Sequence, residues 1–166
     1  MIPYNISPPT NEDVFEELCL GLLKQHWAKP RLERFGRRGE RQNGVDILDL
    51  GGTLPLYAAQ CKLKEEWKTL DAAEISAEVN KAKYFRPPLG YYAILTTAKV
   101  STNSQLAVQA INHQHKNDGL FEVELFTWKR VTDLIRQYPE VEQQFYGGLQ
   151  FEAAVRSKRN SMPSTQ

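Results

Sequence analysis

The sequence predicts an α/β protein with a central mixed β-sheet flanked by helices. Three observations predict this class. Apolar residues recur at helical spacing in several segments, short apolar runs rich in β-forming residues lie between those segments, and two of the runs are joined by a tight turn. The resulting order of helix, strand, hairpin, helix, strand, helix and strand is typical of an α/β fold.

Length and composition indicate a single domain without a polycationic surface. The 166 residues are enough to bury a core, and the net charge of +1 means that any nucleic-acid surface must be a local patch. Cys19 and Cys61 lie far apart without metal-ligand spacing, so we interpret both as reduced core thiols. No apolar run approaches the ~18 residues of a membrane span. With no signal-peptide pattern, a soluble cytoplasmic protein is expected.

The first long helix is predicted to begin after Asn11 and to end near Trp27, following an extended lead-in over residues 1–10. Asn11 is a favourable N-cap, and acidic residues follow it in the first turn. Glu16 and Glu17 fall beside the apolar stripe of this helix. The ordinary interpretation of both is that they are solvated.

A hairpin forms the centre of the predicted site. Its strands are residues 44–50 and 57–62, and residues 51–55 form the turn. A turn centred on Thr53 places Asp46 opposite Gln60, and side-chain alternation then puts Lys62 on the same face. Isolated charges at such positions cost several kcal/mol unless they are paired or metal-bound.

The segment before the hairpin, residues 36–44, contains glycines and arginines but no large apolar residue, which predicts a loop. Guanidinium groups on a glycine-rich loop suit phosphate oxygens, although a solvated loop is the commoner meaning of such a run. The loop after the hairpin is also basic. The residues predicted to contact nucleic-acid phosphates are Arg37, Arg38, Arg41, Lys64 and Lys68.

The rest of the chain alternates helices and strands. A second helix is predicted over residues 70–85, with Glu78 and Lys81 on its polar side, where Glu78 can point towards the site. The later elements are a strand at 91–97, a helix at 101–115, a strand at 121–128 and short helices at 131–137 and 140–146. We expect the domain to cover residues 11–148 and residues 149–166 to form a polar tail or linker.

The hairpin and first helix resemble the PD-(D/E)xK nuclease superfamily, most closely its Mrr-like restriction-endonuclease branch. The resemblance rests on Phe15-Glu16 in the first helix, Gly44-Val45-Asp46 at one strand and Gln60-Cys61-Lys62 on the next. It covers roughly residues 12–100. Gln60 departs from the usual Asp or Glu, which leaves one fewer anionic ligand and makes a carboxylate from the first helix more important.

This resemblance implies a restriction-endonuclease-like fold and a metal-dependent endonuclease that hydrolyses DNA. The cofactor would be Mg²⁺ or Mn²⁺, and the substrate double-stranded DNA in restriction or anti-phage defence. A homodimer, or fusion to a sensor or effector domain, is compatible with it. The implied catalytic residues are Glu16, Asp46, Gln60 and Lys62, with Cys61 adding a backbone carbonyl to the metal site and Glu17, Glu78 and Lys81 as supporting residues.

Two other interpretations remain open at the level of sequence. The same fold can serve as a catalytically weak nucleic-acid-binding or interaction module, or act on RNA. Alternatively, Asp46 and Lys62 form a structural salt bridge that holds a small α/β core and binds no cation. Retention of Glu16, Asp46 and Lys62 together favours the enzyme, because a pure binding module does not need all three.

Overall fold

A mixed β-sheet with helices on both faces organises the structure. The computed structural model of the chain describes residues 4–36, 42–65 and 68–161. Its elements are α1 (Glu12–His26), β1 (Leu32–Arg34), β2 (Ile47–Asp49), β3 (Tyr57–Lys62), α2 (Ala72–Ala82), β4 (Tyr91–Thr96), α3 (Thr102–Asp118), β5 (Glu122–Phe126), α4 (Trp128–Gln137) and α5 (Pro139–Ser161). The predicted α/β class and element order are confirmed.

Five strands within the described residues lie in the order β1-β2-β3-β4-β5. The β1–β2 and β2–β3 pairs are antiparallel, whereas β3–β4 and β4–β5 are parallel because α2 and α3 return the chain to the same end of the sheet. In the hairpin, Ile47 lies opposite Ala59 and Leu48 opposite Ala58, which is the register of a turn centred on Thr53.

Each face of the sheet carries its own core. One core contains Phe15 of α1 with Val131 of α4 and Val141 of α5. The other contains Ile75 of α2 and Val108 of α3 packed on the opposite face. The first helix begins as predicted, because the Asn11 side chain accepts a hydrogen bond from the Val14 N–H at 3.2 Å. Helices on the two faces can therefore approach the same strand ends from opposite sides.

The C-terminal segment differs from the expectation of a tail. The chain is kinked at Tyr146, where the backbone leaves helical dihedrals, but helix α5 resumes and continues to Ser161. Basic residues near its end, such as Arg156 and Lys158, are good helix formers, and proline first reappears at position 163. The boundary at residue 148 stays a prediction.

None of the helices in the described parts of the chain combines the length and hydrophobicity that a membrane crossing requires.

Gly44 allows the chain to pass close to α2 two residues before Asp46. Its backbone has a positive φ of 72°, and its carbonyl accepts a hydrogen bond from the buried Tyr92 hydroxyl at 2.5 Å. A Cβ at this position would lie 3.1 Å from the Glu78 carbonyl oxygen and 3.3 Å from Glu78 Oε2. Only glycine combines this backbone conformation with such close contact to α2.

We therefore expect Gly44→Ala to be more destabilising than Gly52→Ala in chemical denaturation. Both glycines have positive φ, so each substitution costs about 1–2 kcal/mol of left-handed backbone strain. A Cβ at Gly52 meets nothing within 4 Å, whereas one at Gly44 meets α2. Equal losses in the free energy of unfolding would contradict the proposed close packing.

Candidate active site

Asp46 is held by backbone hydrogen bonds from both neighbouring strands. It lies immediately before β2; its N–H donates to the Ala59 carbonyl at 2.9 Å, and its carbonyl accepts from the Phe35 N–H at 2.7 Å. Its carboxylate oxygen Oδ2 accepts from the Cys61 N–H at 2.9 Å. The position of this carboxylate is thus set by the main chain of β1 and β3 and needs no flexible side-chain partner.

The surroundings of Asp46 disfavour its charge. Burial raises the pKa of Asp46 to about 6, although the Cys61 N–H hydrogen bond and the charge of Lys62 both oppose the shift. The negative charges of Glu16 and Glu12 on α1 contribute to the same rise in the pKa of Asp46. A half-buried carboxylate with acidic neighbours is a site where a bound cation would be stabilising.

Gln60 and Lys62 occupy the C-terminal end of β3, beside Asp46. The Gln60 oxygen Oε1 is buried and has no hydrogen-bond partner among the described residues. Buried polar atoms are normally paired, so this acceptor is available to a water molecule or a cation. The Cys61 side chain is buried and hydrogen-bonded to Cys19, and both thiols are free of disulfides as predicted. Cys61 therefore offers only backbone groups to this site.

Lys62 is held by a buried glutamate from α2. Its Nζ lies 2.6 Å from Glu78 Oε1, and Lys81 Nζ lies 3.1 Å from the same oxygen. Burial alone would raise the pKa of Glu78, but the hydrogen bonds and charges of Lys62 and Lys81 lower it overall. Lys62 thus forms its ion pair with Glu78 and not with Asp46, so the structural Asp46–Lys62 salt bridge considered above is wrong.

Arg34 of β1 holds the acidic face of α1. Its guanidinium contacts Glu16 at 2.5 Å, Asp13 at 2.8 Å and Glu17 at 3.3 Å. Burial raises the pKa of Glu16 despite the opposing hydrogen bond and charge of Arg34. The Glu16 side chain is 13% exposed against 49% for Glu17. Glu16 is therefore the more enclosed of the two glutamates.

A cleft of about 380 Å³ opens at this end of β3. Lys64 borders it and forms an ion pair with Glu74 at 2.5 Å. Arg37, Arg38 and Arg41 lie outside the described residues. The cleft is lined by Glu12, Gln60, Cys61, Lys62, Leu63, Lys64, Glu65 and Lys68.

The donor set fits a hydrated hard cation better than a fully enclosed metal centre. Among the described residues, no three Asp, Glu, His or Cys side chains are grouped closely enough to hold a metal ion. Mg²⁺ keeps several waters and is commonly held by only one or two carboxylates. The Asp46 carboxylate and the orphaned Gln60 oxygen supply oxygen ligands of that kind.

Sequence reasoning missed two residues near the site. Glu12 precedes Glu16 by one helical turn and therefore shares its face, a spacing that could have identified it. Arg34 lies on β1 next to another charged residue, Glu33, and no sequence pattern distinguishes it. Its role depends on the docking of β1 against α1.

The chain is similar in structure to solved restriction endonucleases. The restriction endonuclease MspJI, solved in complex with a 27-mer oligonucleotide, has a TM-score of 0.54 and 20% identity over 88% of this chain. The chain has a restriction-endonuclease-like fold. It spans 32% of the MspJI chain. The DNA modification-dependent restriction endonuclease AspBHI has a TM-score of 0.43 and 14% identity, over 92% of this chain and 45% of its own. No protein-family model and no curated protein matches the sequence.

The raised pKa of Asp46 predicts a pH-dependent stability of the protein without metal. The unfolded carboxyl titrates near 3.8 and the folded one near 6. Between these values the folded state holds more protons, so the contribution of Asp46 to stability falls as pH rises from about 4 to about 6. Asp46→Asn should remove this loss and raise the melting temperature above pH 6 in EDTA.

Thermal melts from pH 4 to pH 8 measure this effect. Asp133→Asn serves as the control, because that carboxylate lies on α4 with 62% of its side chain exposed. Parallel pH profiles for the wild type and Asp46→Asn would contradict the assigned burial of the charge.

Proposed function

We propose that this protein is an endonuclease that hydrolyses DNA phosphodiester bonds with Mg²⁺ or Mn²⁺ as cofactor. The observation that carries the proposal is a cleft lined by Gln60, Cys61 and Lys62, in which the Cys61 N–H holds the neighbouring half-buried Asp46 carboxylate. The restriction-endonuclease-like fold supports it, and MspJI with this fold was solved with a bound oligonucleotide.

Asp46 would be the principal cation ligand, because its carboxylate is fixed by the backbone and surrounded by other acids. Gln60 would add its amide oxygen and Cys61 its backbone carbonyl, while Glu16 would reach the cation directly or through water. A bound divalent cation would polarise the phosphate and lower the pKa of a coordinated water.

Lys62 would orient the attacking water or stabilise the charge that develops on the phosphate oxygens. Its ammonium lines the cleft and is positioned by Glu78, which is 5% exposed and is itself held by Lys81. A preorganised cation aimed at developing charge is worth more than a mobile one, since no reorganisation is needed during reaction. In this proposal Glu78 and Lys81 are positioning residues for Lys62.

Basic residues on both sides of the hairpin would bind the DNA backbone. Lys64 and Lys68 line the cleft directly beyond Lys62. The arginines of the 37–41 segment, which precede Asp46 along the chain, would also contact phosphates. We propose double-stranded DNA as the substrate. Contacts to phosphates position a duplex without reading its sequence.

The biological setting we propose is restriction or anti-phage defence in the cytoplasm. The chain spans 32% of the MspJI chain. We propose that a homodimer, or fusion to a sensor or effector domain, would supply DNA selection. In this proposal, the described site would supply the groups for cleavage and phosphate binding.

A nucleic-acid-binding module without strong catalysis is the second candidate. The observation that favours it is the short Lys62–Glu78 ion pair, which neutralises the ammonium that catalysis requires. Under this alternative the cleft would bind phosphates, and replacing Lys62 would affect binding more than turnover.

Cleavage of supercoiled plasmid separates the two candidates. In Mg²⁺ the wild type should nick or linearise the plasmid, and EDTA should abolish this activity. Lys62→Met should retain metal and DNA binding while cleavage falls at least ~10²-fold, the scale of losing one preorganised electrostatic group. Asp46→Asn should lose both cleavage and metal binding, which calorimetry with Mn²⁺ measures.

Lys129→Met is the matched control. Lys129 lies on α4, which contributes no residue to the cleft lining, and its side chain is 86% exposed. Wild-type protein that binds plasmid but leaves it intact in both Mg²⁺ and Mn²⁺ would establish the binding module instead.

The arginine-rich segment gives a separate prediction about DNA binding. Replacing Arg37 and Arg38 together with alanine should weaken binding equally for unrelated DNA sequences. It should also reduce the slope of log K against log[salt] by about 2, because each phosphate contact contributes about 0.9. Fluorescence anisotropy at several salt concentrations measures the slope. An unchanged slope would show that the segment is a solvated connector.

A further inference from the structure

Arg34 contacts Glu16, one of the proposed cation ligands. The importance of this contact for cation binding rests on the proposed function. Arg34 Nη2 lies 2.5 Å from Glu16 Oε2. Glu16 acts electrostatically on Asp46, so its carboxylate is near the proposed metal ligand. The guanidinium therefore competes for the carboxylate that a cation shared by Glu16 and Asp46 would also use.

Arg34 can leave Glu16 without losing its other partners. The same guanidinium contacts Asp13 at 2.8 Å and Glu17 at 3.3 Å, and both of these carboxylates are much more exposed than Glu16. A small displacement towards solvent would keep these two ion pairs and release the enclosed one. Three carboxylates around one guanidinium thus provide alternative anchors for the same positive charge.

The backbone connects Arg34 to the metal ligand itself. Arg34 is the last residue of β1, and the N–H of the next residue, Phe35, donates to the Asp46 carbonyl at 2.7 Å. The backbone position of Arg34 relative to Asp46 is consequently set by the β1–β2 pairing. Arg34 is placed to compensate acidic charge at this edge of the site.

We propose that Arg34 is an internal counter-cation that holds Glu16 while the metal site is empty and yields it when a divalent cation binds. Arg34 thereby sets the cation affinity of the site by competing for the Glu16 carboxylate. It is a positioning residue, because it acts through Glu16 and touches neither substrate nor reacting atoms.

Mn²⁺ affinity measured without DNA, by electron paramagnetic resonance of the free ion, tests this competition. Arg34→Gln should tighten Mn²⁺ binding by at least about 5-fold, the lower end of coupling between linked sites. In a Glu16→Gln background the same substitution should have no effect, because the group for which Arg34 competes is gone.

Arg31→Gln is the control for overall charge. Arg31 lies directly before β1 and is exposed. It forms no ion pair with the residues that the structure describes, so its replacement removes one positive charge and no ion pair. Its Mn²⁺ affinity should match the wild type. An equal gain in Arg31→Gln, or a gain from Arg34→Gln that persists without Glu16, would overturn the proposal in favour of a general electrostatic effect.

A second measurement uses the unmodified protein, in case Arg34→Gln fails to fold. The guanidinium NMR signals of Arg34 should shift on titration with Mg²⁺ and saturate with the binding curve. Signals that stay unchanged at saturation would show that Arg34 only anchors β1 to α1. Absence of cation binding by the wild type would instead refute the proposed function, so the two failures are distinguishable.

Discussion

The desolvation of one carboxylate, that of Asp46, is the constraint on which the site depends. Its oxygen Oδ2 is held by the Cys61 N–H of the neighbouring strand, while its own backbone bonds to β1 and β3. These hydrogen bonds hold the Asp46 carboxylate away from solvent even when no cation is paired with it. Burial therefore disfavours its ionised form, and a cation relieves that penalty directly.

The other charges of the site are balanced from opposite faces of the sheet. Glu78 of α2 pairs with Lys62, and Arg34 of β1 pairs with Glu16 of α1. Glu16 and Lys62 thus each have a counter-ion contributed by another element. This arrangement pairs these charges within the protein, so removing one partner would leave the other uncompensated. The cost is that binding at the site must compete with ion pairs that already exist.

Much of the fold could be predicted because its signals are local. The Asn11 cap, the apolar runs of the strands and the turn centred on Thr53 each depend on neighbouring residues, and the structure confirms them. The register then brings Asp46 to Gln60 and Lys62 without further information. Strand β2 begins at Ile47, one residue after Asp46, whose N–H donates to the Ala59 carbonyl. This boundary could not be predicted from the sequence.

The counter-ions were harder to predict because they depend on tertiary packing. Glu78 could be suspected from its helix face, but its pairing with Lys62 follows from where α2 docks. Arg34 has no sequence signal, since its three partners lie on a helix that precedes it by a loop. The continuation of α5 to Ser161 was also missed, because polar composition alone does not distinguish an exposed helix from a tail.

A crystal structure of the protein grown with Mn²⁺, with anomalous scattering measured, would locate the cation. We expect an anomalous peak about 2 Å from the Asp46 carboxylate and the Gln60 oxygen, within the bond lengths of a hard cation. A protein saturated with Mn²⁺ whose only peaks lie elsewhere, with Asp46 still bonded solely to the Cys61 N–H, would contradict this expectation.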